Sequence, residues 1–109
     1  MKTVYLIDGA RTAFTSFGGS FAQVKADDLG AATAREAMER SGVGPDQIDH
    51  VIYGNVIHSS TNAAFLSRHI GLKAGIPVEV PAMNVNRLCG SGCQSIVSAA
   101  VSYTHLRAH

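Results

Sequence analysis

The chain has 109 residues, and its nine Lys plus Arg against eight Asp plus Glu give a formal net charge of +1. This near balance excludes nucleic-acid binding through bulk positive charge, and it also excludes an acidic disordered tail. Hydrophobic residues make up 46% of the chain and charged residues only 16%. We therefore expect much of its surface to be buried, either against other chains or against further sequence.

The N-terminal sequence predicts neither a targeting signal nor a membrane segment. Its apolar run is only Val4–Ile7, whereas a secretion signal needs about 7–15 apolar residues and a membrane helix about 20. The two cysteines, Cys89 and Cys93, are too few for a disulfide framework. These features favour a cytoplasmic protein with reduced thiols and no membrane partner.

The first half of the chain predicts one strand and one helix. The apolar run Val4–Ile7 ends in an Asp-Gly turn and is typical of a buried strand. After a loop rich in Ser, Thr and Gly, a helix is predicted with Asp27 as its N-cap, running to about Arg40 and ending near Gly42. Small side chains share one face of this helix, which would let it pack closely on a sheet.

The second half predicts two further strands, each followed by a helix. An extended stretch covers 48–57, and the helical spacing of Phe65–Ile70 precedes a Gly-Ile-Pro turn. Another strand is predicted over 81–86, and a last helix begins at Cys89 or Gly90. The order β-α-β-α-β-α indicates an α/β fold with a mainly parallel sheet covered by helices. Because no closing strand follows the last helix, we expect this fold to be incomplete.

The junction between the last strand and the last helix holds the best candidate for catalysis, Cys89, beside Gly90 and Gly92. At a helix N-terminus, unpaired N–H groups and the helix dipole favour a thiolate and can stabilise an oxyanion. The glycines leave room for a bulky substrate to approach the backbone. From the residues alone, a reactive nucleophile and a buried structural cysteine are equally good interpretations.

The run Val85–Gly92, with the sequence VNRLCGSG, resembles the nucleophile motif of the thiolases. Other segments resemble the same family in the expected order, namely GART at 9–12, GNV at 54–56 and RHIGLKAGIP at 68–77. The resemblance is strongest to acetyl-CoA acetyltransferases and short-chain 3-ketoacyl-CoA thiolases. It implies that residues 1–101 are a partial N-terminal domain of a layered α/β fold. Residues 102–109 do not resemble the family and are interpreted as foreign sequence.

The resemblance implies acyl transfer between coenzyme A thioesters. Cys89 would attack a 3-ketoacyl-CoA and keep the acyl group as a thioester while acetyl-CoA leaves; in the synthetic direction two acetyl-CoA molecules would condense. The N–H of Cys89 would form half of an oxyanion hole. Coenzyme A would be a co-substrate, no cofactor would be tightly bound, and fatty acid metabolism is the expected context.

The same resemblance limits what this chain can do alone. In the family, an activating histidine, a second catalytic cysteine and most of the CoA-binding surface lie in the C-terminal half. Cys89 is therefore the single catalytic residue that we assign, and the CoA-binding residues stay unassigned. We expect the 109-residue chain to be inactive by itself, and a full-length parent to form homo-oligomers.

Other interpretations of the chain stay open. It could be a non-catalytic fragment that keeps the fold. The segment Gly90–Ser95 comes close to the dinucleotide fingerprint Gly-x-Gly-x-x-Gly, but its last position is Ser and it follows the third predicted strand. Cys93 is interpreted as a packed core thiol, since its spacing from Cys89 is not that of a redox pair. No metal is predicted, because ligand spacing is absent among the five histidines, His50, His58, His69, His105 and His109.

Overall fold

The computed structural model describes residues 2–105, within which the chain forms three helices and two strands. In chain order these elements are α1 (Ala26–Ser41), β1 (Val51–Gly54), α2 (Leu66–Lys73), β2 (Ala82–Val85) and α3 (Ser91–His105). Single turns of 3-10 helix lie at Pro45–Gln47 and Ala63–Phe65. The order within the described residues is therefore α-β-α-β-α.

The two strands form a parallel sheet, and α2 lies in the connection between them. Val51 pairs with Ala82, and Gly54 pairs with Val85. Parallel neighbours need a crossover connection because consecutive strands must start from the same end of the sheet. The predicted α/β class and parallel pairing are confirmed, although each strand is shorter than its predicted stretch, 48–57 or 81–86.

The core lies where α1, the sheet and the segment after α2 meet. Its buried cluster consists of Val51, Ala74, Ile76 and Val80, and Ala34 and Met38 of α1 pack against it. Small residues bring α1 close to α2, since a Cβ atom at Gly30 would overlap the buried side chain of Ile70. The predicted small-residue face of α1 is thus confirmed, and it packs on α2 as well as on the core of the sheet.

The two ends of α1 differ in how well the sequence predicts them. The N-cap is Lys25, which makes no side-chain capping bond, so the assignment of Asp27 as N-cap is wrong. Because the helix already begins at Ala26, Asp27 lies in its first turn, where its carboxylate pairs with Nζ of Lys73 at 2.9 Å. The helix ends as predicted at Gly42, whose φ of 69° is a left-handed conformation that suits glycine.

The predicted strand at Val4–Ile7 is not formed. Among the described residues the sheet contains only β1 and β2, so this segment has no paired neighbour. Its side chains are exposed, from 42% for Val4 to 81% for Leu6. It lies along α3, with which it lines a groove of about 370 Å³. An apolar run is insufficient for a strand because extended backbone needs a hydrogen-bonding partner.

The last helix, α3, packs on the sheet through its polar side. Its buried residues are Ser91 and Ser102, and Oγ of Ser102 lies 2.9 Å from Nδ1 of His50, just before β1. The apolar side chains of α3 are about half exposed, and Cys93 is exposed as well. The interpretation of Cys93 as a packed core thiol is therefore wrong for residues 2–105, in which its side chain is exposed.

The C-terminal end of α3 reaches beyond the predicted domain boundary at residue 101. The helix continues to His105, and residues 106–109 lie outside the described part of the chain. The foreign origin of residues 102–109 stays a prediction. Among residues 2–105, no helix combines the length and the hydropathy needed to cross a membrane.

Candidate active site

Cys89 lies in the tight turn between β2 and α3, and its side chain is exposed. The helix begins at Ser91, slightly later than the predicted start at Cys89 or Gly90. The N–H of Gln94 donates to the C=O of Gly90 at 2.9 Å, so the helical bonding pattern starts directly after Cys89. The cysteine thus lies just before the N-terminus of a 15-residue helix, where the amide dipoles favour negative charge.

The backbone immediately before Cys89 is strained. Leu88 has a φ of 49°, a left-handed conformation that residues with a side chain rarely adopt. Its N–H donates to Oδ1 of Asn86 at 3.0 Å. The N–H of Gly90 donates to the C=O of Arg87, also at 3.0 Å. Because strained backbone concentrates at functional sites, this turn favours the reactive interpretation of Cys89 over the structural one.

Ser91 connects the start of α3 to this turn. Its hydroxyl accepts the N–H of Arg87 at 2.8 Å and donates to the C=O of Leu88 at 2.7 Å. Its own N–H donates to the same carbonyl at 3.0 Å. None of these bonds uses the N–H of Cys89, the group that the thiolase resemblance assigns to an oxyanion hole. Ser91 is not among the residues predicted for the site, although a serine that opens a helix after a glycine commonly bonds to nearby backbone.

The end of β1 lies directly against the start of α3. A Cβ atom at Gly54 would lie 2.8 Å from both the carbonyl carbon and the Cβ atom of Ser91. Real Cβ atoms do not approach other atoms this closely, so any side chain at Gly54 would displace Ser91. The glycine therefore permits α3, and with it the Cys89 turn, to begin at this distance from the sheet.

A buried polar network anchors β2, the strand that leads into the turn. Ser67 of α2 is 1% exposed, and its Oγ lies 2.6 Å from Oδ1 of Asn84 on β2. The same Oγ accepts the N–H of Tyr53 on β1 at 3.1 Å, and Nδ2 of Asn84 donates to the C=O of Ala64 at 2.9 Å. Within residues 2–105, every buried side-chain nitrogen and oxygen has a hydrogen-bond partner. The strand before Cys89 is thus held in place by α2 and, through the Ser67 hydroxyl, by β1.

Among the described residues, His50 and His69 lie in different surroundings. No group of three or more His, Cys, Asp or Glu side chains in the described part of the chain could hold a metal ion. His50 contacts Ser102, and the ring of His69 stacks on Phe65 with centroids 6.4 Å apart. His109 lies outside the described residues.

Comparisons with known proteins identify the family of this chain. A model of the thiolase N-terminal domain matches residues 4–105. The chain is 45% identical over 98 residues to human mitochondrial 3-ketoacyl-CoA thiolase, an alignment that covers 90% of this chain and 25% of the relative. It is 44% identical over 99 residues to beta-ketothiolase BktB of Cupriavidus necator, covering 91% and 25%. An acetyl-CoA acetyltransferase of Clostridioides difficile is 45% identical over 95 residues, covering 87% of this chain and 88% of that relative.

The fold agrees with these sequence matches. The crystal structure of human mitochondrial 3-ketoacyl-CoA thiolase in complex with CoA superposes with a TM-score of 0.90 at 42% identity, covering 93% of this chain and 26% of that one. The chain spans about a quarter of the length of the human relative. The thiolase resemblance and the α/β fold class are confirmed, and the dinucleotide interpretation of Gly90–Ser95 loses its support. Because the family model extends over nearly the whole sequence, the chain belongs to the thiolase family and lies within its N-terminal domain.

Proposed function

We propose that Cys89 is the nucleophile of an acyl-transfer site and carries the acyl group as a thioester. The supporting observation is an exposed thiol in a strained turn directly before a 15-residue helix. Exposure lets a CoA thioester reach the sulfur, and the helix amides favour an oxyanion that forms beside it. Relatives named 3-ketoacyl-CoA thiolase and acetyl-CoA acetyltransferase support this class of reaction.

In the degradative direction, the Cys89 thiolate attacks the 3-keto carbon of a 3-ketoacyl-CoA. The N–H of Cys89 donates to the oxyanion that forms there. The Cα–Cβ bond then breaks, its electron pair takes up a proton, and acetyl-CoA leaves while the acyl group stays on sulfur. A second CoA thiol takes the acyl group and returns Cys89 to its starting state. In the synthetic direction, two acetyl-CoA molecules condense through the same thioester.

Coenzyme A acts in this scheme as a co-substrate. The two proton transfers need a base for the thiol and an acid for the acetyl carbanion. The alignment covers 25% of the human relative, and we assign both groups to the part of a thiolase that this chain does not span. The 109-residue chain alone would accordingly lack turnover.

The cellular context of the reaction stays a set of predictions. These are a cytoplasmic location, a role in fatty acid metabolism, a homo-oligomeric parent, and no nucleic-acid or membrane partner. The relatives include a human mitochondrial protein and a bacterial one, so their names point to no single compartment.

A hybrid enzyme tests the proposal. Residues 4–101 of this chain would replace the aligned segment of human mitochondrial 3-ketoacyl-CoA thiolase, to which the chain is 45% identical. We expect the hybrid to cleave acetoacetyl-CoA with free CoA, and acetyl-CoA to leave an acetyl thioester on Cys89 that mass spectrometry detects. Cys89→Ser should abolish both results, because a serine hydroxyl hardly ionises near neutral pH.

Cys93→Ser is the matched control, since the second thiol is also exposed and lies four residues further along. This variant should keep both turnover and the thioester. An acetyl group on Cys93, or nearly unchanged turnover in Cys89→Ser, would show that another group is the nucleophile.

A further inference from the structure

We propose that Ser91 is a positioning residue for Cys89. Its buried hydroxyl, seated against Gly54, holds the turn in the conformation that presents the Cys89 sulfur. The inference rests on the proposed function, because it assigns Ser91 a role in preparing the nucleophile, and its test is independent of acyl transfer.

The Ser91 hydroxyl forms hydrogen bonds that span the Cys89 turn. It lies two residues after Cys89 and bonds to the two residues before it, accepting from Arg87 at 2.8 Å and donating to Leu88 at 2.7 Å. Leu88 keeps an unfavourable φ of 49°, and a strained residue persists only where its surroundings hold it there. Without the hydroxyl, the N–H of Arg87 loses its acceptor, and the turn is free to relax toward an ordinary conformation.

Ser91 also fills the space next to Gly54. Ser91 is 5% exposed, and an added Cβ at Gly54 would meet its backbone carbonyl carbon at 2.8 Å and its carbonyl oxygen at 2.9 Å. These are backbone atoms, so the overlap is relieved only if the start of α3 moves. A side chain at Gly54 would therefore displace the hydroxyl from the turn without removing it, which gives an independent way to disturb Cys89.

The chain supplies a matched control for the hydroxyl. Oγ of Ser95 donates to the C=O of Gly92 at 2.6 Å, so it makes the same kind of bond to a carbonyl three residues back. This bond lies about one helical turn further along α3. Removing it deletes an equivalent hydroxyl while leaving the turn before Cys89 intact.

The test is the alkylation rate of each thiol in the 109-residue chain, measured at low protein concentration so that association does not cover α3. Brief treatment with iodoacetamide followed by peptide mass mapping gives separate rates for Cys89 and the exposed reference thiol Cys93. We expect Cys89 to react faster. The ratio of the two rates should fall on the order of tenfold in Ser91→Ala and in Gly54→Ala, in line with the loss of one buried hydrogen bond.

Rescue separates the role of the hydroxyl from a general loss of structure. Ser91→Thr keeps the hydroxyl and should restore the ratio, and Ser95→Ala should leave it unchanged. Circular dichroism identifies any variant that has lost its helices, and Gly54→Ala carries the test if Ser91→Ala is such a variant. An unchanged ratio in a helical Ser91→Ala chain, an equal fall in Ser95→Ala, or a Ser91→Thr chain that reacts like Ser91→Ala would overturn the proposal.

The alkylation ratio and the acetyl thioester test the positioning role and the proposed function separately. A Ser91-dependent alkylation ratio together with no acetyl thioester in the hybrid would support the positioning role and contradict acyl transfer. A thioester on Cys89 together with an alkylation ratio that ignores Ser91 would support acyl transfer and contradict the positioning role.

Discussion

Oδ1 of Asn84 lies 2.6 Å from the hydroxyl oxygen of Ser67 and accepts the backbone N–H of the same serine at 2.9 Å. One amide side chain on β2 thereby holds the first turn of α2. The N–H of Tyr53 donates to the same hydroxyl oxygen at 3.1 Å, so three elements meet at one buried group. This pairing fixes β2 in place before the chain enters the Cys89 turn.

Ser67→Ala should lower the free energy of unfolding by about 1–3 kcal/mol, because it leaves buried partners on Tyr53 and Asn84 without their bond. Thermal melting followed by circular dichroism at low protein concentration measures the change. Ser95→Ala removes a less buried hydroxyl and should melt close to the parent chain. Equal losses in the two variants would contradict the importance of the buried network.

Gly30→Ala should destabilise the contact between α1 and α2. The added Cβ would overlap the side chain of Ile70, which is 1% exposed and has little room to move. Overpacking of this kind costs about 1–3 kcal/mol, which outweighs the gain of about 1 kcal/mol in helix propensity. Gly92→Ala is the control, since its Cβ would meet nothing within 4 Å. A melting temperature that rises in both variants would refute the prediction.

Acid should weaken the ion pair that joins the start of α1 to the end of α2. The hydrogen bond from the Lys73 ammonium holds the pKa of Asp27 below its ordinary value of 3.8, against the opposing effect of burial. The carboxylate is therefore favoured in the folded chain. Its contribution to the free energy of unfolding is present above pH 3.8 and is lost as the pH falls through the lowered pKa. With the Lys73 side chain 40% exposed, water screens this ion pair, and its contribution to stability should be small.

Melting temperatures at neutral and strongly acidic pH test this dependence. Asp27→Asn should shrink the difference between the two conditions, because the amide does not titrate. Asp49→Asn, at an exposed position, is the matched control. If Asp49→Asn shrank the difference as much as Asp27→Asn, the ion pair with Lys73 would not be the cause.

The isolated 109-residue chain should associate, bind a hydrophobic dye and show no cleavage of acetoacetyl-CoA. Apolar side chains of α3 and of the N-terminal segment are 49–81% exposed at Ile96, Val97, Val101, Leu6 and Ile7, and contiguous apolar surface drives association. Sedimentation, dye fluorescence and a thiolysis assay measure the three properties. A monodisperse monomer would contradict the first, the absence of dye fluorescence would contradict the second, and cleavage that depends on Cys89 would contradict the last.

Local patterns in the sequence predict the elements that depend on neighbouring residues. Helical spacing places α1 and α2, and the stop at Gly42 follows from the need for a left-handed residue. The glycine turn around Cys89 and its place between a strand and a helix are also predicted, because they too depend on neighbouring residues. Parallel pairing of β1 and β2 follows from the helix between them.

Features that depend on residues far apart in the chain cannot be predicted from local sequence patterns. Val4–Ile7 has the composition of a strand, yet among the described residues no neighbour pairs with it. The pairs Ser67 with Asn84, and Gly54 with Ser91, join residues 17 and 37 positions apart, and no periodic pattern signals either contact. The orientation of α3 was also unpredictable, because an apolar stripe normally faces the sheet and here it does not.

Because α3 packs on the sheet through serines, we expect it to unfold locally more often than α2. Docking a helix through Ser91 and Ser102 removes little apolar area from water, whereas α2 buries Leu66 and Ile70, each of which contributes about 1.5–3 kcal/mol. We therefore expect the amides of α3 to exchange with deuterium faster than those of α2. Since Ser91 belongs to α3, each detachment of this helix also breaks the hydrogen bonds that hold the Cys89 turn. The conformation of this turn should therefore last only as long as the weakly packed α3 stays in place.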